Sequence, residues 1–350
     1  KTRVLTRRIA YLMARRNATP YSILAITFTN KAAGEMKERV KELVGPVAQS
    51  MWVSTFHSAC VRILRQEAAR LGYSNSFSIY DSADSLRLIT IVSKDLNLDP
   101  KRYPPRQFQS VISNAKNELL GPADYLNAAT NQFQEVVADV YALYQRRLQQ
   151  SNAMDFDDLI LKTVEVLQRF PEARARYRSR FRHVLVDEYQ DTNHAQYALI
   201  RELTKAVPAE FSDVDARTGE ILPPASLTVV GDSDQSIYAF RGADIRNISE
   251  FEKDFAGATT ILLEQNYRST QNILSAANAV IGNNFDRPNK NLWTDSGDGD
   301  KIVGYTGYSA HDEAQFIADE IGDLHRAGTN YRDIAVFYRT NAQTRALEEI

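Results

Sequence analysis

The sequence predicts an α/β fold: a mostly parallel β-sheet flanked by helices, carrying an all-helical insertion and followed by the beginning of a second α/β domain. Three observations carry this expectation. Short apolar, β-prone runs alternate with longer helical patterns, as βαβ units require. From Ser82 to Asn152 the chain keeps helical periodicity, broken at Asp99-Pro100, Pro104-Pro105 and Gly121-Pro122, with no buried strand. At Asn283–Asp300 the composition turns Asn-, Asp- and Gly-rich before apolar runs resume. A chain of 350 residues is also too long for one compact core.

The first strand candidates are Ile23–Thr27, Met51–Thr55, Val184–Asp187, Leu227–Gly231 and Ile261–Glu264, each followed by polar or small residues and a helical stretch. Beyond the composition break come Ile302–Tyr305 and Ile334–Tyr338. The expected domains are therefore residues 1–81 and 155–262 as the two parts of one α/β domain, 82–154 as the insertion, and 263–350 as the start of the second. A polar, Gly/Pro-punctuated loop is expected from Pro208 to Pro224.

Composition excludes several classes. The single cysteine, Cys60, rules out an internal disulfide framework and fits a reducing, cytoplasmic setting. No apolar run is long enough to span a membrane, and the N-terminal apolar run is too short for a secretory signal. The net charge of −2 argues on its face against a polyanion partner. That average hides segregation: residues 1–70 hold thirteen Lys and Arg against four Glu, and the acidic excess lies in the rest.

In open α/β sheets ligands sit at the carboxyl ends of strands, so the residues after each strand matter most. The most specific is Val184-Leu185-Val186-Asp187-Glu188-Tyr189-Gln190-Asp191, an apolar strand ending in two carboxylates. This is the Walker B arrangement, with Asp187 placed to hold Mg²⁺ and Glu188 to take a proton from an attacking water. Such a site needs a phosphate cradle. No complete G-x-x-x-x-G-K-[ST] occurs, but Lys1-Thr2 opens an amphipathic helix, which is how a P-loop ends. Three further strand ends carry Phe28-Thr29-Asn30, Thr55-Phe56-His57-Ser58, and Gly231-Asp232-Ser233-Asp234-Gln235 running on to Tyr238-Ala239-Phe240-Arg241. A fifth carries Gln265-Asn266-Tyr267-Arg268.

Together, and in this order, these motifs resemble those of superfamily 1 DNA helicases of the UvrD/PcrA/Rep group, over essentially the whole chain. The resemblance implies a RecA-like P-loop NTPase domain with a helical insertion and the start of a second RecA-like motor domain. Lys1-Thr2 then falls where the phosphate loop finishes, and Phe337–Arg345 resembles the start of the second motor. The chain reads as the front half of a longer motor, expected to hydrolyse ATP poorly or not at all by itself. ATP and Mg²⁺ are the implied cofactors: Lys1 and Thr2 would meet the phosphates and Thr2 and Asp187 the metal. Glu188 would activate water, Gln235 sense the γ-phosphate, Arg268 approach it, Tyr267 stack on the base and Gln190 add a polar contact. DNA contacts would come from Phe28, Asn30, Thr55, His57, Tyr238, Phe240 and Arg241, with Asn341 and Arg345 on the second domain. Position 240 is Phe where several relatives carry Trp. Aromatic faces stack on bases regardless of sequence while hydroxyls and amides hold phosphates.

The resemblance also implies 3′→5′ movement on single strands, ss/ds DNA junctions as substrates, a role in repair or replication maintenance, repair-protein partners and no membrane. A helicase-nuclease of the RecB/AddA type and a non-catalytic DNA-binding scaffold are the rival readings. Among individual residues, Phe56 is expected in the core, Cys60 as a small buried hydrophobe, and Tyr141 and Tyr144 in the core of the insertion. The arginines at 174, 176, 178, 180 and 182 are expected on a solvated surface.

Overall fold

The computed structural model describes residues 1–207, 222–239, 242–284 and 290–350. The chain divides into two compact units, Lys1–Ile261 and Leu262–Ile350.

The first unit is built on four parallel strands: β1 (Ile23–Thr27), β2 (Trp52–Thr55), β5 (His183–Val186) and β6 (Ser226–Val229), in the order β2-β1-β5-β6. All five residues of β1 are buried, as expected of a central parallel strand covered on both faces. Its alternation separates two cores. Leu24 and Ile26 face Phe56, Ile63 and Leu64 of α3 (Phe56–Glu67), together with α8 (Phe156–Arg169) and α10 (His194–Thr204). Ile23 and Ala25 face Leu5 and Ile9 of α1 (Thr2–Arg16) and Met36 and Val40 of α2 (Asn30–Val44). Helices therefore cover both faces of a parallel sheet.

The insertion consists of α4 (Ser82–Asp95), α5 (Pro105–Asn117), α6 (Pro122–Ala128) and α7 (Gln132–Gln150). It has its own core, centred on Ile89, Phe108, Ile112, Tyr141, Tyr144 and Leu148. The chain enters and leaves it through a small parallel pair, β3 (Ser78–Tyr80) and β4 (Ala153–Asp155). Three-residue strands leave no readable period, which is why the sequence does not announce them. After α8 come α9 (Pro171–Arg180) and, past β6, the short helices α11 (Arg246–Ser249) and α12 (Phe251–Asp254).

The first four strand expectations hold to within two residues at either end. Ile261–Glu264 forms no strand, and Ile261 is exposed. Nor do Ile302–Tyr305 and Ile334–Tyr338 in the second unit, where α13 (Gln271–Ile281), α14 (Ala310–Arg326) and α15 (Thr344–Glu348) are the α-helices among the described residues. A strand exists only where a neighbour takes up its amides and carbonyls. Among the described residues of this unit the only bridge is Gln265 to Trp293. Of the expected loop at 208–224, residues 208–221 lie outside the described residues; Leu222 bridges Val207.

The arginine run is only partly a solvated surface. Because α9 packs against both α8 and α10, one arginine is forced inward. Buried Arg178 donates to the Glu202 carboxylate at 2.9 Å and to the Ala206 carbonyl at 2.9 Å. Arg176 pairs with Glu67 at 2.6 Å. No helix among the described residues is long and apolar enough to cross a membrane.

Candidate nucleotide and nucleic-acid site

The carboxyl ends of β1, β2, β5 and β6, with the start of α1, gather the candidate residues of the first unit. Lys1 and Thr2 stand at the beginning of α1, which Leu5 and Ile9 press onto the sheet. The Thr2 hydroxyl donates to Asp187 Oδ2 at 2.8 Å. Lys1 Nζ lies 2.7 Å from Glu188 Oε2 and 3.3 Å from Gln235 Oε1. Three segments far apart in sequence thus converge on one cluster.

Asp187 ends the buried β5 run, 4% exposed, and its amide donates to the Ile26 carbonyl at 2.9 Å. Burial pushes its carboxyl above the usual range, opposed by the Thr2 hydroxyl and reinforced by the adjacent Glu188 charge. Glu188 turns the chain in the left-handed region, at φ 48°. Gln190, buried, donates to Glu188 Oε2 at 3.0 Å and accepts from the Asp232 amide at 3.0 Å. Gln235 in turn donates to Asp232 Oδ2 at 2.6 Å. Gly231 is needed where it stands: a Cβ there would lie 2.8 Å from Gln190 Oε1 and 2.6 Å from Ile248 Cδ1.

Around this cluster lie the candidate DNA residues. Phe28, half-buried, follows β1 and packs edge-on to Phe56 at 5.4 Å. Phe56 is a core residue, as expected. Asn30 is exposed at the start of α2. Thr55 is buried and its hydroxyl is engaged locally, accepting from the Ser58 amide at 3.2 Å as the cap of α3. Burial lowers the pKa of His57 and so favours its neutral ring. Tyr238 is exposed beyond β6. Phe240 and Arg241 lie outside the described residues.

Phe156 joins these aromatics although it is not among the residues expected from the sequence. It is 50% exposed at the start of α8 and lies edge-on to His57 at 5.6 Å. The available signal was a large aromatic at a helix start directly after a capping aspartate, Asp155.

The remaining candidates belong to the second unit. Tyr267 is 82% exposed, with its hydroxyl donating to Gln265 Oε1 at 2.8 Å. Arg268 is exposed, and its guanidinium has no ion-pair partner among the described residues. Asn266 Oδ1 accepts from the Arg268 and Ser269 amides, at 2.8 Å each, and so shapes this turn. Asn341 opens a short helical turn, and Arg345 pairs with Glu349 at 2.8 Å.

The chain matches the UvrD/REP helicase N-terminal domain over residues 1–256 and the UvrD-like helicase C-terminal domain over residues 261–350. Among curated relatives, it is 59% identical over 355 residues to the ATP-dependent DNA helicase UvrD1 of Mycobacterium tuberculosis. It is 51% identical over 350 residues to the ATP-dependent DNA helicase PcrA of Bacillus subtilis. Both alignments take in all of this chain but 45% of the relative, so the chain spans about half the length of the proteins it matches. Matched in this way along its length, with the sheet and strand-end motifs in place, the chain belongs to the UvrD/REP helicase family and carries its RecA-like P-loop fold.

Proposed function

We propose that this chain forms part of an ATP-driven motor that moves along single-stranded DNA and unwinds duplex. The observation that carries the reading is the convergence of Lys1 and Thr2 on Glu188 and Asp187, at 2.7 and 2.8 Å. A lysine and a hydroxyl at a helix start, facing two carboxylates at a strand end, are the parts that bind and cleave a nucleoside triphosphate. The family names of the relatives, both ATP-dependent DNA helicases, support the same reading.

The oxygens of Thr2 and Asp187, already in hydrogen-bond contact, fit a hard divalent cation such as Mg²⁺. Bound there, Mg²⁺ would neutralise charge on the phosphate oxygens. Lys1 would exchange its Glu188 partner for the β/γ-phosphates, and the freed carboxylate would accept the proton of the attacking water. Gln235, within reach of Lys1 and tied to Asp232, would sense which partner Lys1 holds. On the DNA side, Phe28, His57 and Tyr238 would offer aromatic faces or edges after the strand ends, Phe156 another beside His57, and Asn30 an amide, with Phe240 and Arg241 following Tyr238 in the chain. Tyr267, Arg268, Asn341 and Arg345 would act from the second unit. Movement 3′→5′, ss/ds junctions as substrates, repair-protein partners and a repair role in the cytoplasm follow from the family resemblance.

Glu188→Gln in the full-length protein tests the assignment. DNA-stimulated ATP hydrolysis should fall by about 10²–10⁴-fold while nucleotide binding persists. Turnover at the wild-type rate would refute it.

A further inference from the structure

The segment that follows Glu188 is tied down on every side. Gln190 bridges Glu188 and the Asp232 amide, both at 3.0 Å. The Thr192 carbonyl accepts from the Asp244 amide at 3.0 Å and from Asn247 Nδ2 at 2.9 Å. Asn193, buried, then caps α10: its Oδ1 accepts from the Gln196 amide at 2.9 Å, and Gln196 Oε1 accepts from the Asn193 amide at 3.1 Å. That reciprocal cap fixes how the Asn193 side-chain amide faces, because its oxygen is committed to the helix. Its Nδ2 therefore points away, and donates to Asn117 Oδ1 at 2.8 Å.

Asn117 is the last residue of α5, inside the helical insertion. Its neighbour Lys116 is clamped 2.7 Å from Asp155 and 2.9 Å from Asp158, at the base of the insertion. The end of α5 is thus anchored twice to the first α/β domain, once at the start of α8 and once at the segment that carries the catalytic carboxylate. We propose that the Asn193–Asn117 hydrogen bond makes the insertion a positioning element for Glu188. Neither asparagine touches a reacting atom. They act through Tyr189–Thr192, whose hydrogen bonds transmit any displacement of Asn193 back to Glu188. This inference rests on the ATPase reading for one of its two measurements and stands without it for the other.

The chemistry of the pair supplies a test that spares the helix cap, since aspartate caps as well as asparagine. In Asn117→Asp the new carboxylate still accepts from Asn193 Nδ2. In Asn193→Asp the Asn117 amide can turn over and donate to the new carboxylate. In the double variant two carboxylates face each other with no donor between them, while the cap is retained. In the full-length protein, we expect the double variant to lower kcat for DNA-stimulated ATP hydrolysis by about five- to tenfold at unchanged KM for ATP. Both single variants should stay within about twofold of wild type. Amide hydrogen exchange at Tyr189–Asn193 should accelerate in the double variant alone. Wild-type kcat and exchange in the double variant would overturn the proposal. So would a single variant that falls as far as the double. If the wild-type protein itself hydrolysed no ATP, the ATPase reading would fail, and hydrogen exchange alone would decide this one.

Discussion

Replacing Lys116 by methionine should uncouple the insertion from the domain beneath it. The ammonium is fully buried, 2.7 Å from Asp155 Oδ2 and 2.9 Å from Asp158 Oδ1. Tyr144 donates its hydroxyl to Asp155 at 2.9 Å, and Gln145 Nε2 donates to Asp158 at 3.1 Å. Burial by itself would lower the Lys116 pKa, but the two carboxylates hold it well above its usual value. Burial would likewise raise Asp155, and the Lys116 charge and hydrogen bond hold it below the ordinary range. Asp158 is pushed up by burial and by Asp155. Lys116 is thus the cation that lets two acids share one dry site. Methionine fills the volume and removes the charge, so the loss is that of breaking a buried pair, about 3–5 kcal/mol. For a unit of this size that is a fall in midpoint temperature of roughly 6–10 °C, read by far-UV circular dichroism.

The sign of the pH dependence makes the test sharper. In wild type, the stabilisation from the depressed Asp155 is present above its unfolded pKa and is lost as pH falls through the folded one. The contribution of Lys116 is lost only as pH rises through its own elevated value. In Lys116→Met the carboxylates lose the cation that pairs with both, their folded pKa values rise, and protonation relieves the repulsion. The deficit should therefore be greatest near pH 8 and shrink towards pH 5. Adding Asp158→Asn should recover much of it. A loss below about 1 kcal/mol with no pH dependence would mean that the pair is solvated, and the argument fails.

Burial, then the Asp155 charge, pushes Asp157 up to about 6, so wild type gains stability as pH falls through that value. Asp157→Asn should raise stability at pH 8 by up to about 3 kcal/mol, with the advantage fading below pH 5 in a pH series of melts. Gly231→Ala forces Gln190 and Ile248 apart; a loss of about 1–3 kcal/mol is expected, with DNA-stimulated kcat falling before KM for ATP does. The buried Cys60 thiol is pushed up to about 12 by burial, opposed by a hydrogen bond with Thr163. A thiol reagent at pH 8 should leave it untouched in the native protein and titrate it fully in denaturant.

Features written in contiguous residues could be read from the sequence; those built by meetings of distant ones could not. The run Val184–Val186 before Asp187-Glu188 declares both a buried strand and its terminal acids, because apolar burial and an abrupt charge are local. That Thr2 lies 2.8 Å from Asp187 follows only once α1 has packed on the sheet. The clamp on Lys116 was invisible for the same reason: a lysine in an amphipathic helix reads as solvated until α5 is laid against α8. Pattern misled in the second unit, where Ile302–Tyr305 and Ile334–Tyr338 are β-prone but have no ladder among the described residues. Propensity describes what a pleated surface would accept, and a strand also needs a neighbour to hydrogen-bond.

Glu188 shows why such distant meetings matter to chemistry. Its backbone sits at φ 48°, ψ 45°, where a β-carbon crowds the following carbonyl at a cost of roughly 1–2 kcal/mol. Glycine would relieve that strain and remove the carboxylate, so the position can serve as a base only if its surroundings hold it. They do so from several directions. The Glu188 amide donates to Asp187 Oδ1 at 3.0 Å, Lys1 grips the carboxylate at 2.7 Å and Gln190 donates to it at 3.0 Å. Two net hydrogen bonds of about 1 kcal/mol each are enough to offset a strain of this size. On the proposed mechanism Lys1 would turn to a phosphate, and Glu188 would keep only its amide bond to Asp187 and the Gln190 side chain. On that reading the placement of the base would depend most on residues away from the nucleotide, from Gly231 beneath Gln190 to the helical insertion that holds Asn193.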